Sequence, residues 1–281
     1  MHKNSLLRAA TALTVATLLT ACGDSASSTG PTVSAAVAAG TTLDVAAVSA
    51  DAAKEDVETF KVNRGAFGIA QATDFERFER WSSCPYDATA KRFICADKIR
   101  GPFTYTRSYA YADAAGAAQS AYSASLTDAA NFKWSLNGTI TRDKWSGSMS
   151  RDRDITLSGL VGANNTVTVN GTGSTEKMRT TFLRDSAGPN GLTRTYNLES
   201  ALVIKNVVTP AIRLPDTWPT SGTITRDYKV TRTDATAGTT VTTRNSVVTF
   251  NGTQFVDLVV NGTAFTLDLA TGKVTPKVTA S

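Results

Sequence analysis

The chain has 281 residues, 29 Lys or Arg against 24 Asp or Glu, and one His. The basic excess is small and dispersed, which argues against the concentrated cationic face that nucleic acid binding requires. The single His is His2. It falls in a segment that reads as removable, so the remaining chain is expected to form no Ser-His-Asp triad, no Cys-His pair and no His-ligated metal site.

Residues 1–21 have the three zones of a secretory signal peptide. His2, Lys3 and Arg8 make a positive start, Leu6 to Leu19 is mostly apolar, and small residues lead to the cut. The apolar run is too short to span a bilayer as a mature helix. Leu19-Thr20-Ala21-Cys22 resembles the bacterial lipobox, and the N-terminal segment is similar to that of bacterial lipoprotein precursors. The resemblance implies a diacylglycerol on the Cys22 sulfur, cleavage before Cys22 and acylation of the new amine. Several acyl chains, each gaining roughly 0.8 kcal/mol per buried methylene, make such an anchor permanent. The residue after Cys22 is Gly23, not Asp. In that class this favours the outer membrane over the inner one, with the domain in the periplasm or at the cell surface. Beyond the lipobox, the Thr-rich β pattern resembles uncharacterised bacterial lipoproteins and no functional family.

Residues 22–50 are almost entirely small side chains. Such a stretch cannot bury enough apolar surface to offset its ordering entropy, so it is expected to be a disordered, lipidated tether. A single β domain is expected over 51–281. Residues 51–62 carry a short-helix pattern. Thr73 and Glu76 fit a capping box, with Phe75 and Phe78 one turn apart. Phe75, Arg77, Glu79 and Trp81 equally alternate as a strand, and both readings stay open. Cys84 and Cys95, with ten residues between them in an oxidising compartment, are expected to form a disulfide across a hairpin with its tip near Asp87 to Ala90.

From about residue 80 a two-residue period dominates. Tyr105, Arg107, Tyr109 and Tyr111 share one parity. Between Tyr122 and Ile140 the large side chains fall on even positions, and Tyr196, Leu198, Leu202 and Ile204 repeat the pattern, as do Ile224, Tyr228 and Val230. Asn-Gly dipeptides at 137, 170, 190, 251 and 261 suggest hairpin turns. Further turns are expected at 113–116, 163–165 and 235–238. Val247–Phe250, Phe255–Val260 and Phe265–Leu269 read as a three-strand meander. The expected fold is all-β: an antiparallel β-meander forming a curved sheet, an open barrel or a sandwich, preceded by the tether and one short helix. A membrane-spanning barrel is not expected, given the anchor, the tether and the polar tail Thr279-Ala280-Ser281.

Asn137-Gly-Thr-Ile-Thr-Arg-Asp143 recurs as Ser221-Gly-Thr-Ile-Thr-Arg-Asp227, with Trp134 and Trp218 preceding the two copies. This is either two similar strands or the mark of a duplicated half-sheet. No nucleotide fingerprint, Walker loop or calcium loop occurs, so no cofactor and no metal are expected. Asp152 and Asp154 alternate with Arg151 and Arg153, which are expected to neutralise them. The favoured function is a non-catalytic, membrane-anchored module that binds an envelope lipid, glycan or protein. The alternative is a structural envelope lipoprotein, and a hydrolase using paired carboxylates ranks below both. Arg142 and Arg226 share the parity of the apolar residues on their strands. Together with Trp134, Trp145 and Trp218 they are the candidate ligand-site residues, guanidinium forks for an anionic head group beside aromatic walls.

Overall fold

The computed structural model describes residues 84–142, 145–161, 165–185, 188–211, 217–234 and 238–277. The expected signal peptide, the lipidation site at Cys22, the tether and both readings of residues 73–81 lie outside the described residues. The described residues contain no helix, and thirteen strands form one antiparallel curved sheet that does not close into a barrel.

The strands are β1 (Tyr86–Asp87), β2 (Arg92–Arg100), β3 (Phe103–Asp113), β4 (Ala118–Gln119), β5 (Thr127–Arg142), β6 (Trp145–Ser158) and β7 (Thr166–Asp185). They continue as β8 (Gly188–Pro210), β9 (Ser221–Asp234), β10 (Gly238–Thr249), β11 (Phe255–Val260), β12 (Thr263–Asp268) and β13 (Val274–Pro276). Each pairs with its sequence neighbours, except that β3 pairs with β5 and β4 sits beside β3 alone. The all-β meander is therefore as the sequence suggests, in its curved-sheet form. Cys84 and Cys95 are bonded, and the hairpin between them turns over residues 88–91.

The alternation along the strands aligns laterally into rungs that cross the sheet. One rung runs Phe93, Tyr109, Phe132, Ile155, Gly171, Ile204, Ile224, Val248, Leu258, Phe265. Except for Gly171 these side chains belong to one continuous buried cluster. Apolar burial on this core face, at roughly 25 cal/mol per Å², is the dominant stabilising contribution. At this end β7 and β8 carry register shifts at Val169/Gly171 and Lys205/Val208, and bulges of this kind bend a sheet and increase its twist.

The bulge in β7 explains one wrong expectation. Asn170-Gly171 is not a turn; the Asn170 Oδ1 accepts a hydrogen bond from the Asn206 backbone N–H at 2.7 Å and holds the two shifted strands together. Asn137 and Asn190 also lie inside strands, in β5 and β8. Only the last two Asn-Gly pairs sit between strands. At Asn261-Gly262 both residues have positive φ, 46° and 82°, as a two-residue hairpin turn demands. The repeated heptapeptide occupies non-equivalent places. The first copy lies at the end of β5 remote from the core, whereas the second opens β9 and puts Ile224 into the apolar rung.

Candidate functional site

Beyond the apolar rung, the core face changes character. The next rung reads Cys95, Arg107, Trp134, Arg153, Gly173, Leu202, Arg226, Ser246. The one after it reads Tyr105, Leu136, Arg151, Thr175, Ser200, Tyr228, Arg244. Arg153 and Arg226 are only 8% and 7% exposed. Arg153 Nη1 donates to the backbone oxygens of Asp152 and Ser174, each at 2.8 Å, and its guanidinium lies over the Trp134 ring at 5.8 Å. Gly173 makes room for it, since a Cβ there would stand 2.6 Å from Arg153 Cδ and 2.7 Å from the Asp152 carbonyl oxygen. Donor-bearing atoms accumulate here: Ser200 Oγ, Tyr228 Oη and Arg244 Nε are buried in neighbouring strands of one rung with no hydrogen-bond partner among the described residues.

The five residues singled out from the sequence do not form one cluster. Arg142 and Arg226 do share the core face, as their parity requires. Trp134 and Arg226 fall in the same rung. Arg142 pairs with Trp145 at the far end of β5 and β6, about 27 Å along the strand from Trp134. The Trp145 ring lies under the Arg179 guanidinium at 4.9 Å. Trp218 precedes β9 and packs against the apolar cluster. Sequence reasoning missed Arg107, Arg151, Arg153 and Arg244. The signal was present, because each has the parity of a buried residue two or four positions along its own strand.

The outer face carries the opposite charge. Asp152, Asp154, Glu176, Glu199 and Asp227 all point there, alternating with the core-face residues of their strands. The expectation that Arg151 and Arg153 neutralise Asp152 and Asp154 is therefore wrong: consecutive residues of a strand stand on opposite sides of the sheet. Asp154 is instead met by Lys133 Nζ of the adjacent strand at 3.0 Å and accepts from Asn131 Nδ2 at 2.6 Å. Arg92 Nη1 donates to the Asn131 Oδ1 at 2.7 Å and completes the network. Burial pushes the Asp154 carboxyl up, but the hydrogen bonds from Asn131 and Lys133 and the charges of Lys133 and Arg92 outweigh it. The carboxyl sits below its ordinary value. Burial likewise pulls the Arg92 guanidinium down, against the attraction of Asp154.

Two open troughs of about 700 and 860 Å³ run across the outer face and share Asp152 and Ser174. Their floors are the backbone behind the second and third rungs, and their walls are outer-face side chains. Together they reach from β2 to β10, about 34 Å at the usual strand spacing. Glu176 and Glu199 stand directly opposite each other on paired strands, with Lys229 Nζ bonded to Glu199 at 3.2 Å. Asn245 Nδ2 donates to Asp227 at 2.7 Å. Like charges directly opposite on a sheet reduce its stability, and Lys229 places a counter-charge on one of the two. Among the described residues no group of three His, Cys, Asp or Glu is placed to hold a metal ion. The chain matches no known protein-family model, no curated protein and no solved structure.

Proposed function

We propose that this chain is an exported, non-catalytic binding module, anchored to a membrane through lipid on Cys22, that lays an envelope glycan along the trough of the outer face. The supporting observation is the pair of adjoining troughs: long, open, and lined by carboxylates, amides and hydroxyls together with Arg92, Lys133, Lys229 and Trp134. Such walls suit a chain of hydroxyl donors, and the Glu176–Glu199 pair suits an amino or hydroxyl group between the two carboxylates. Both troughs are open to solvent and so would leave much of an acyl chain in water.

Binding of the purified mature chain to isolated envelope polysaccharide, measured by co-sedimentation, tests the reading. Glu176→Gln with Glu199→Gln, and separately Asp227→Asn, should each weaken retention at least tenfold while leaving the fold intact. Retention equal to wild type in both variants, or none in the wild type, rules it out. The anchor has its own check. Labelled palmitate should enter the wild type and not Cys22→Ser.

A further inference from the structure

We propose that the open end of the core face docks on an anionic lipid surface, through cations and large apolar side chains that the strand register brings together there. This does not depend on the glycan reading, which concerns the opposite face, and its test removes the lipid attachment point at Cys22.

The first argument is how the register sorts the side chains. Beyond the third rung the core face continues as Phe103, Gly138, Met149, Lys177, Leu198, Val230. The next rung reads Ile140, Gly147, Arg179, Tyr196, Arg232, Thr240. Arg142 and Trp145 pair beyond it. No carboxylate stands in either of these two rungs, whereas Glu176 and Glu199, their neighbours along β7 and β8, point to the outer face. Charges that are dispersed along the sequence are therefore gathered by sign, and the cations share their face with the large apolar groups.

The second argument is exposure. No side chain of these two rungs is buried. Arg142, Lys177 and Arg179 are exposed, and Tyr196 is 39% exposed. Ile140, Met149, Leu198 and Trp145 are half-buried. Two rings lie down on the sheet, since a Cβ at Gly138 would meet the Phe103 ring and one at Gly147 the Trp145 ring. The Arg179 guanidinium lies over the Trp145 ring at 4.9 Å. The result is a surface of ring faces and aliphatic stems topped by cations, about 24 Å wide from β5 to β10.

The third argument is the chemistry of the partner. Trp and Tyr settle at the boundary between head groups and acyl chains. Arg and Lys lay their stems in that boundary and reach the phosphates with their charged ends, and each cation near an anionic leaflet strengthens binding. A hydrated polyanion rewards the cations but leaves Ile140, Met149 and Leu198 in water. With this face on the membrane, Glu176 and Glu199 point away from the negative surface.

The test uses the mature chain with Cys22→Ser, so that no acyl anchor contributes. It should float with vesicles of mixed phosphatidylglycerol and phosphatidylcholine, at least tenfold more tightly than with phosphatidylcholine alone, and be released by salt. Arg142→Gln/Arg179→Gln, with an unchanged circular dichroism spectrum, should weaken binding at least tenfold. Brominated acyl chains should quench the tryptophan fluorescence, and Trp145→Phe should lose most of that quenching while Trp218→Phe keeps it. The proposal is overturned if the anionic vesicles are not bound, or if the folded double variant binds them as the wild type does. It is equally overturned if Trp145→Phe is quenched as before, or if the chain binds dextran sulfate and no vesicle, which would make the face a site for a soluble polyanion.

Discussion

The long strands β5 to β10 carry alternating sequences along their whole length, yet only one end is packed. In β10 the residues from Gly238 to Asn245 are exposed or half-buried, and burial starts at Ser246 and Val248. In β6 nothing is buried before Arg153, Ile155 and Leu157. Among the described side chains of β6 and β10, the same two-residue period thus yields a core at one end and exposed or half-buried residues at the other. Alternation specifies a strand and its two faces, whereas burial needs a layer opposite, which alternation alone does not supply.

The most severe test of that comparison truncates a side chain at each end. Phe132→Ala, in the apolar rung and 2% exposed, should lower unfolding free energy by about 3–5 kcal/mol. Val241→Ala, 56% exposed at the far end of β10, should change it by about 0.5 kcal/mol or less. Similar losses in urea denaturation would mean the far end is packed after all. Next in size is the bond between Cys84 and Cys95, which ties the edge strands to the packed end. The double replacement by Ser should cost about 3 kcal/mol on the chain-entropy account. Amide exchange in the far halves of β7 and β8 should stay as in the wild type, and a change there would show that the two ends share one cooperative unit.

What the sequence reveals of this molecule follows the range of its interactions. The strands, their faces, the C-terminal hairpins and the disulfide depend on residues within about a dozen positions of one another, and each is legible. Asn137, Asn170 and Asn190 misled because the same dipeptide fits a bulge or a strand interior when the neighbouring strands are long, and strand length is set by pairing partners far away in sequence. Asp154 misled for the same reason: its counter-charges are Lys133 and Arg92, on other strands, and not its chain neighbours. The candidate site was half legible. Parity assigned Arg142 and Arg226 to one face, but only the register shows that Trp134 and Arg226 share a rung while Arg142 and Trp145 stand at the open end.

The boundary between the two ends is the arginine rung, and Gly173 sits in its middle. Replacement by Ala pushes a methyl against the Asp152 carbonyl oxygen and the stem of Arg153. The stem can move, but the carbonyl belongs to the sheet backbone. A loss of about 1–3 kcal/mol is expected, as for other overpacked sites. The same variant should expose Arg153 to solvent, and a thermally unchanged Gly173→Ala protein would show that the close approach is unimportant.

A smaller effect than these core changes lies on the outer face, where the comparison can be sharpened by pH. Asp154 is 43% exposed and its partner Lys133 52%, so solvent screens the pair and its net contribution is about 1 kcal/mol. Its carboxyl is below the ordinary value in the folded protein, whereas the unfolded chain titrates near the usual value of about 3.9. Protons therefore bind the unfolded state more readily. The stabilisation is fully present above that unfolded value and is lost as pH falls through the lower, folded one. Asp154→Asn removes the charge while keeping the shape. The variant should be less stable than wild type by about 1 kcal/mol at neutral pH, and the gap should close as acidification passes the lowered, folded-state value. A gap that does not change over that titration would assign the effect to packing, and not to the hydrogen bonds and charges of Asn131, Lys133 and Arg92 that lower the carboxyl's pKa.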